Sequence, residues 1–156
     1  MIGVRDRILD VYQVEMATIY LADVSTNRLS SWVLLPGDYL RKIRIPMDNS
    51  SIAGFVATSG ELLHIHDAYN REELKAIDPD LQFDSTWDQK GGVQTRQVLA
   101  APVKFKNTLL GVIQLINKQD SGDFSDQDVQ HLRDLAETLG IALYNHRRLA
   151  VKIYRS

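Results

Sequence analysis

The chain contains no cysteine in its 156 residues, which removes disulfides, thiolate metal sites and cysteine nucleophiles together. No apolar run approaches the roughly 20 residues that a membrane span requires. Residues 1–7 lack the apolar core of a signal peptide. Neither sign of charge dominates: 18 Lys and Arg stand against 20 Asp and Glu, a net charge of −2. A broad electropositive field for nucleic acid or anionic lipid is therefore missing. There is no Gly-x-x-x-x-Gly-Lys-Ser/Thr phosphate loop, no Gly-x-Ser-x-Gly elbow and no His-Glu-x-x-His. These absences imply a cytoplasmic domain with neither nucleic acid nor membrane as partner. What remains is ordinary globular material, 44% hydrophobic and 24% charged, enough for one core without staples.

Hydrophobic spacing divides the chain. Val4, Ile8, Val11 and Tyr12 predict a helix over residues 2–13. Residues 17–24 and 29–35 read as a hairpin turned at Ser25-Thr26-Asn27, and residues 42–45 alternate as a half-buried strand should. Asn49-Ser50-Ser51 offers N-cap oxygens to a helix beginning at Ile52, which Gly60 can end in a left-handed turn. A short strand follows at residues 62–66. Residues 70–94 are polar and carry Pro79, Gly91 and Gly92; a short helix near 72–77 and then a long lid loop are expected. The most apolar strands, 97–105 and 109–117, are joined tightly through Lys106-Asn107-Thr108 and are expected at the centre of the sheet. A long helix runs from Asp126 to at least Arg148. This order predicts an α+β fold, an antiparallel sheet with helices packed on its faces.

The start of the last helix can be read from its chemistry. Ser125 is a suitable N-cap, Asp128 can return the capping-box hydrogen bond, and Phe124 with Val129 can form the hydrophobic staple. Further along, Leu132, Leu139 and Ile153 share one seam of a seven-residue register, and Leu135, Ala142 and Leu149 share the next. Ala136, Leu143 and Ala150 flank them, while His146 interrupts the first seam. Packing on the sheet accounts for the stretch from Leu132 to Leu143. Leu149 and Ile153 lie past residue 145, where the core should end, and are better explained by dimerisation or by a linker to a further domain.

Several ordered blocks resemble a GAF domain. They are Ser51-Ile52-Ala53-Gly54-Phe55-Val56-Ala57-Thr58-Ser59-Gly60-Glu61, His66-Asp67-Ala68-Tyr69, Thr95-Arg96-Gln97-Val98-Leu99-Ala100-Ala101-Pro102-Val103, and Leu110-Gly111-Val112-Ile113-Gln114-Leu115-Ile116-Asn117-Lys118. The resemblance is closest to the regulatory GAF domains of cyclic-nucleotide phosphodiesterases and bacterial adenylate cyclases, and it covers roughly residues 1–150. It implies five or six antiparallel strands, terminal helices on one face and a lid of short helices and loops on the other. A small-molecule pocket would lie under the lid, and the terminal helices would form a homodimer. Residues 1–150 would be one sensory domain, and 151–156 the start of a linker or helix extension to an output domain.

The resemblance also assigns residues. It aligns Thr18, Ile52, Ala53, Tyr69, Thr95 and Gln114 with the pocket of cyclic-nucleotide binders, so cyclic AMP or cyclic GMP is the ligand it implies. The physical logic fits: amides at the start of the Ile52 helix suit a phosphate, and Gln114 can donate and accept at a purine edge. The phosphodiesterase signature is met by Asn117, Lys118, Phe124 and Asp128, although Val129 stands where the family has Glu. In the family the Lys–Asp pair braces the pocket, and the cap and staple explain Phe124 and Asp128 without any ligand. Two features depart from the pattern: Leu35 lies where some cyclic-GMP binders place a guanine-reading acid, and the lid is longer than usual.

His64 and His66 share a strand face and could hold zinc or iron, and iron sensing occurs in the family. Only Asp67 suggests itself nearby as a further ligand, so solvated or hydrogen-bonded histidines are the preferred reading and no metal is assigned. Trp32 suits a core, and Trp87, in the lid, a ligand's neighbour. Without cysteine, a covalently attached bilin is not expected, and a third reading, the methionine sulfoxide chemistry that a minority of GAF-fold enzymes perform through cysteines, is a poor one. The expectation is a regulatory module with no catalytic residues of its own. Its alternative is a ligand-free GAF domain serving dimerisation or protein docking.

Overall fold

The computed structural model describes residues 12–34, 40–83, 94–120 and 122–155. The helix expected over residues 2–13 lies almost wholly outside them. The described elements are β1 (Val14–Asp23), β2 (Arg28–Leu34), β3 (Leu40–Pro46), α1 (Ile52–Ser59), β4 (Leu63–Ile65), α2 (Arg71–Ile77), β5 (Val98–Phe105), β6 (Thr108–Lys118) and α3 (Asp126–Arg155). The strands form one six-stranded antiparallel sheet in the order β3-β2-β1-β6-β5-β4.

Local chemistry sets the boundaries. Between β5 and β6, Lys106 and Asn107 take φ of 49° and 65°, the paired left-handed conformation of a two-residue hairpin turn. Ser51 Oγ accepts the Gly54 N–H at 3.0 Å, and Gly60 closes α1 at φ 72°, a left-handed cap that glycine adopts without strain. Asn70 Oδ1 accepts the Glu72 and Glu73 amides and starts α2.

Side chains alternate along the strands and feed two cores. Tyr20, Ala22, Val98, Ala100, Val112 and Ile116 face α1 and α2. Ala17, Leu99, Ala101, Val103, Ile113 and Leu115 face α3, where Leu132 and Ala136 cover them. The centre of the sheet is β1 against β6, not β5 against β6 as their apolarity led us to expect. Beyond β5, among the described residues, there is only the three-residue β4. A strand buried on both faces is apolar throughout, so the composition of β5 reports its two coverings rather than a central place.

Helix α3 comes unusually close to β5 at Gly140, where an added Cβ would drive into the Lys104 carbonyl and crowd the carbonyl carbon at 3.0 Å. Alanine for glycine inside a helix ordinarily stabilises by about 1 kcal/mol. Here the collision is with backbone, and overpacking costs about 1–3 kcal/mol. Urea unfolding of Gly140→Ala should show a net loss of up to about 2 kcal/mol; a more stable variant would contradict this docking.

Candidate ligand-binding site

Thr18 on β1 stands directly opposite Gln114 on β6, and Ala100 of β5 completes the row. By alternation these side chains share the face of Tyr20, Val112 and Ile116, and Thr18 is buried there. Ile52 and Ala53, at the start of α1, are buried over the same face. Tyr69 is 44% exposed, and its ring meets Phe83 edge-on at 5.2 Å. Thr95 is buried. The Ala68 N–H donates to the Arg96 carbonyl at 2.8 Å, so the segments carrying Tyr69 and Thr95 run side by side. Tyr20, which the sequence did not single out, adds a phenol to this face, and complete burial pushes its pKa well above the usual value. Leu74, Leu81, Ile77 and Phe83, all from the first part of the lid, pack into the same apolar cluster. Leu35, Trp87 and the lid from 84 to 93 lie outside the described residues, as does the Trp32 side chain.

Where β6 ends, Asn117 is fully buried and takes φ of 58°. Its Oδ1 accepts the amides of Arg96 at 2.7 Å and Gln97 at 3.1 Å. Its Nδ2 donates to Glu15 Oε2 at 2.8 Å and to the Gln94 carbonyl at 2.7 Å. The adjacent Lys118 Nζ lies 3.3 Å from Asp128 Oδ2 and donates to the Tyr12 carbonyl at 2.8 Å. Asp128 also completes the capping box: it accepts the Ser125 N–H at 2.9 Å, while the Asp128 N–H donates to Ser125 Oγ at 3.1 Å. Phe124 is buried, and Val129 packs beside it in the α3-facing core. Gln97 links both sides, donating to the Gly122 carbonyl at 2.6 Å and accepting the Lys118 N–H at 3.0 Å. Burial alone would raise the Asp128 pKa. The Ser125 hydrogen bonds and Lys118 together outweigh that effect and hold it below the usual carboxylate range.

His64 and His66 also differ from the sequence reading. Asp67 accepts the Tyr69 N–H at 3.0 Å, whereas the acid that meets both imidazoles is Asp123, from the loop before α3. His64 Nε2 lies 2.9 Å from Asp123 Oδ1, and His66 Nδ1 hydrogen-bonds Oδ2. The hydrogen bond to Asp123 raises the His66 pKa despite partial desolvation. At Asp123 itself burial acts upward, but both histidines and the Phe124 N–H outweigh it, so its pKa is lowered. A partner that is 57 and 59 residues away leaves no local sequence signal.

Residues 3–143 match the family model of the GAF domain. The chain belongs to the GAF domain family. It is 36% identical over 116 residues to a probable 3′,5′-cyclic phosphodiesterase, pde-5, of Caenorhabditis elegans, a match spanning 74% of this chain and 14% of that protein. Among solved structures, it is similar to the GAF domain of a phosphoenolpyruvate-protein phosphotransferase from Acinetobacter, with a TM-score of 0.69 at 17% identity, covering 93% of this chain and 80% of that one. It also resembles a free methionine-R-sulfoxide reductase from Neisseria meningitidis, with a TM-score of 0.65 at 19% identity, covering 93% and 76%. Those two likenesses speak for the fold alone.

The GAF domain's last helix packs over its first part as its spacing led us to expect. Leu132 is fully buried, and Leu135, Leu139 and Leu143 pack onto the domain's own sheet. A stripe at helical spacing beside an apolar sheet finds its nearest partner within the chain. Leu132 and Leu139 thus pack within the domain, as expected for the stretch from Leu132 to Leu143. The helix itself continues unbroken to Arg155.

Removing Asp128 should cost about 1–2 kcal/mol, since cap and ion pair are lost together, and more than removing Lys118. The Asp128 contribution is present above the unfolded carboxylate pKa near 4 and fades as pH falls through the lowered folded value. The stability gap between wild type and Asp128→Asn, followed by denaturant unfolding, should therefore narrow below about pH 4. A gap independent of pH would argue against the brace.

Proposed function

We propose that this GAF domain is a small-molecule sensor of a larger cytoplasmic signalling protein, and that its ligand is a cyclic nucleotide. The observation that carries the reading is the Thr18–Gln114 row, a polar pair set within the otherwise apolar lid-facing side of the sheet. Thr18 is buried and Gln114 half-buried, and no buried side-chain nitrogen or oxygen among the described residues lacks a partner; what the pair offers is a donor and an acceptor that a purine edge can match. The phosphodiesterase named above, whose name gives a 3′,5′-cyclic substrate, supports the choice of ligand class. Since the chain spans only 14% of that relative, the output belongs to other parts of the full-length protein. On this reading the domain has no catalysis of its own, and the absence of cysteine speaks against the thiol-dependent reductase chemistry in particular.

Signal would pass along α3 to the output domain, with a homodimer formed by the part of the helix beyond the sheet, where Leu149 and Ile153 lie. The alternative is a ligand-free dimerisation or docking module. The apolar cluster formed with lid residues Leu74 and Leu81 favours it, because that part of the lid is already packed.

Saturation at 100 times the dissociation constant stabilises a fold by about 2.7 kcal/mol, equivalent to a rise of roughly 5–11 °C in Tm for a domain of this size. Melts with cyclic AMP and cyclic GMP should show such a rise with one of them. Tyr69→Ala and Gln114→Ala should abolish it while barely moving the unliganded melt. No rise with either nucleotide at millimolar concentration would leave the ligand-free reading. Light scattering should report a dimer that Leu149→Asp weakens; a wild type that is strictly monomeric at tens of micromolar would remove the dimer from both readings.

A further inference from the structure

We propose that His64, His66 and Asp123 form a binding site for a divalent transition metal of the zinc class. The three ligand atoms all lie within 4.8 Å of one another, and both carboxylate oxygens already face an imidazole nitrogen. The imidazole centroids are 4.6 Å apart, with the rings tilted by 43°. Zinc held at about 2.0–2.2 Å by nitrogen and carboxylate oxygen places its ligand atoms about 3.3–3.5 Å from each other. His64 Nε2 and Asp123 Oδ1 at 2.9 Å would need to part by about half an ångström, and the closer His66 Nδ1–Asp123 Oδ2 pair by more. Once the metal displaces the protons that these two nitrogens donate to Asp123, releasing them to water, two neutral imidazoles and one carboxylate are a donor set that zinc accepts, and three protein ligands leave the fourth position open.

The backbone around these side chains is fixed independently of any metal. Glu73 of α2 accepts the His66 amide at 2.7 Å and the Asp67 amide at 3.0 Å, which holds the end of β4. Phe124 packs edge-on against the His64 ring at 5.9 Å, and its N–H donates to Asp123 Oδ1 at 2.7 Å. Gln97 holds Gly122, the residue before Asp123, through its carbonyl. The histidines are thus presented by an edge strand, and the carboxylate by the loop that enters α3. His66 is 65% exposed, so an ion enters from solvent and the open position faces water. A bound ion joins β4 to the loop just ahead of the Ser125 cap, at the entry to the helix that leads out of the domain.

The test is a calorimetric titration of the untagged, chelator-treated chain with zinc, repeated with cobalt and read by visible absorption. The expected result is one equivalent of metal per chain, with the intense visible bands of tetrahedral cobalt. Loss of an outer-shell partner typically costs 10–100-fold in affinity, so loss of a direct ligand in His66→Asn or Asp123→Asn should cost at least about 100-fold. Asp67→Asn and His131→Gln should bind as wild type does. Imidazole NMR shifts at both His64 and His66 on adding zinc to the wild type test the site without any variant. Absence of stoichiometric binding overturns the proposal. So does binding that survives both ligand substitutions, or that is lost equally in His131→Gln.

Discussion

Asn117 is a short side chain with no freedom left: its amide oxygen takes two backbone N–H groups, and its amide nitrogen reaches a carboxylate on β1 and a backbone carbonyl. Three separate stretches of chain depend on it, namely the end of β6, the approach to β5 and the start of β1. The fully buried side chain satisfies partners that would otherwise be stranded away from water, each costing about 1–3 kcal/mol if left unpaired. Its backbone has turned into the left-handed region, which asparagine tolerates better than most residues. No apolar residue of similar volume can substitute.

That turn decides where the next residue goes. The Lys118 side chain, at the last paired position of β6, reaches toward the start of α3 and meets Asp128 and the Tyr12 carbonyl. The amides held by Asn117 belong to Arg96 and Gln97, immediately after Thr95, while three residues earlier along β6 Gln114 points to the opposite face. Asn117 and Lys118 therefore connect the lid-facing side of the sheet to the cap of α3 through hydrogen bonds and one ion pair, with Gln97 adding a second strand to the connection. For the ligand proposed above, this network would be the route to the helix on the other face.

Much of this was legible in the sequence, and the reason differs from part to part. Caps and turns are local: Ser51, Gly60 and Ser125 interact within four residues, so spacing alone finds them, whereas the Asn70 cap, equally local, was not singled out. Strand positions follow from alternation, which placed β1 through β6 within a few residues. Strand order is not local, and the apolarity of β5 was mistaken for centrality because burial on two faces and position in the sheet leave the same mark. The partner of the histidines was missed for a related reason, since Asp123 reaches them only once α3 has folded back over β5. Asn117 was visible as a motif residue, but its four partners become apparent only when β1, the approach to β5 and β6 are assembled.

The central claim is that the Asn117 junction couples the approach to β5 to the start of α3. Native-state amide exchange on wild type and Asn117→Ser measures this most directly. The account predicts that the amides of Arg96 and Gln97 and those of the first turn of α3, including Ser125 and Asp128, lose protection together, while β2 and β3 keep theirs. Loss confined to Arg96 and Gln97, with the α3 cap still protected, would contradict the coupling.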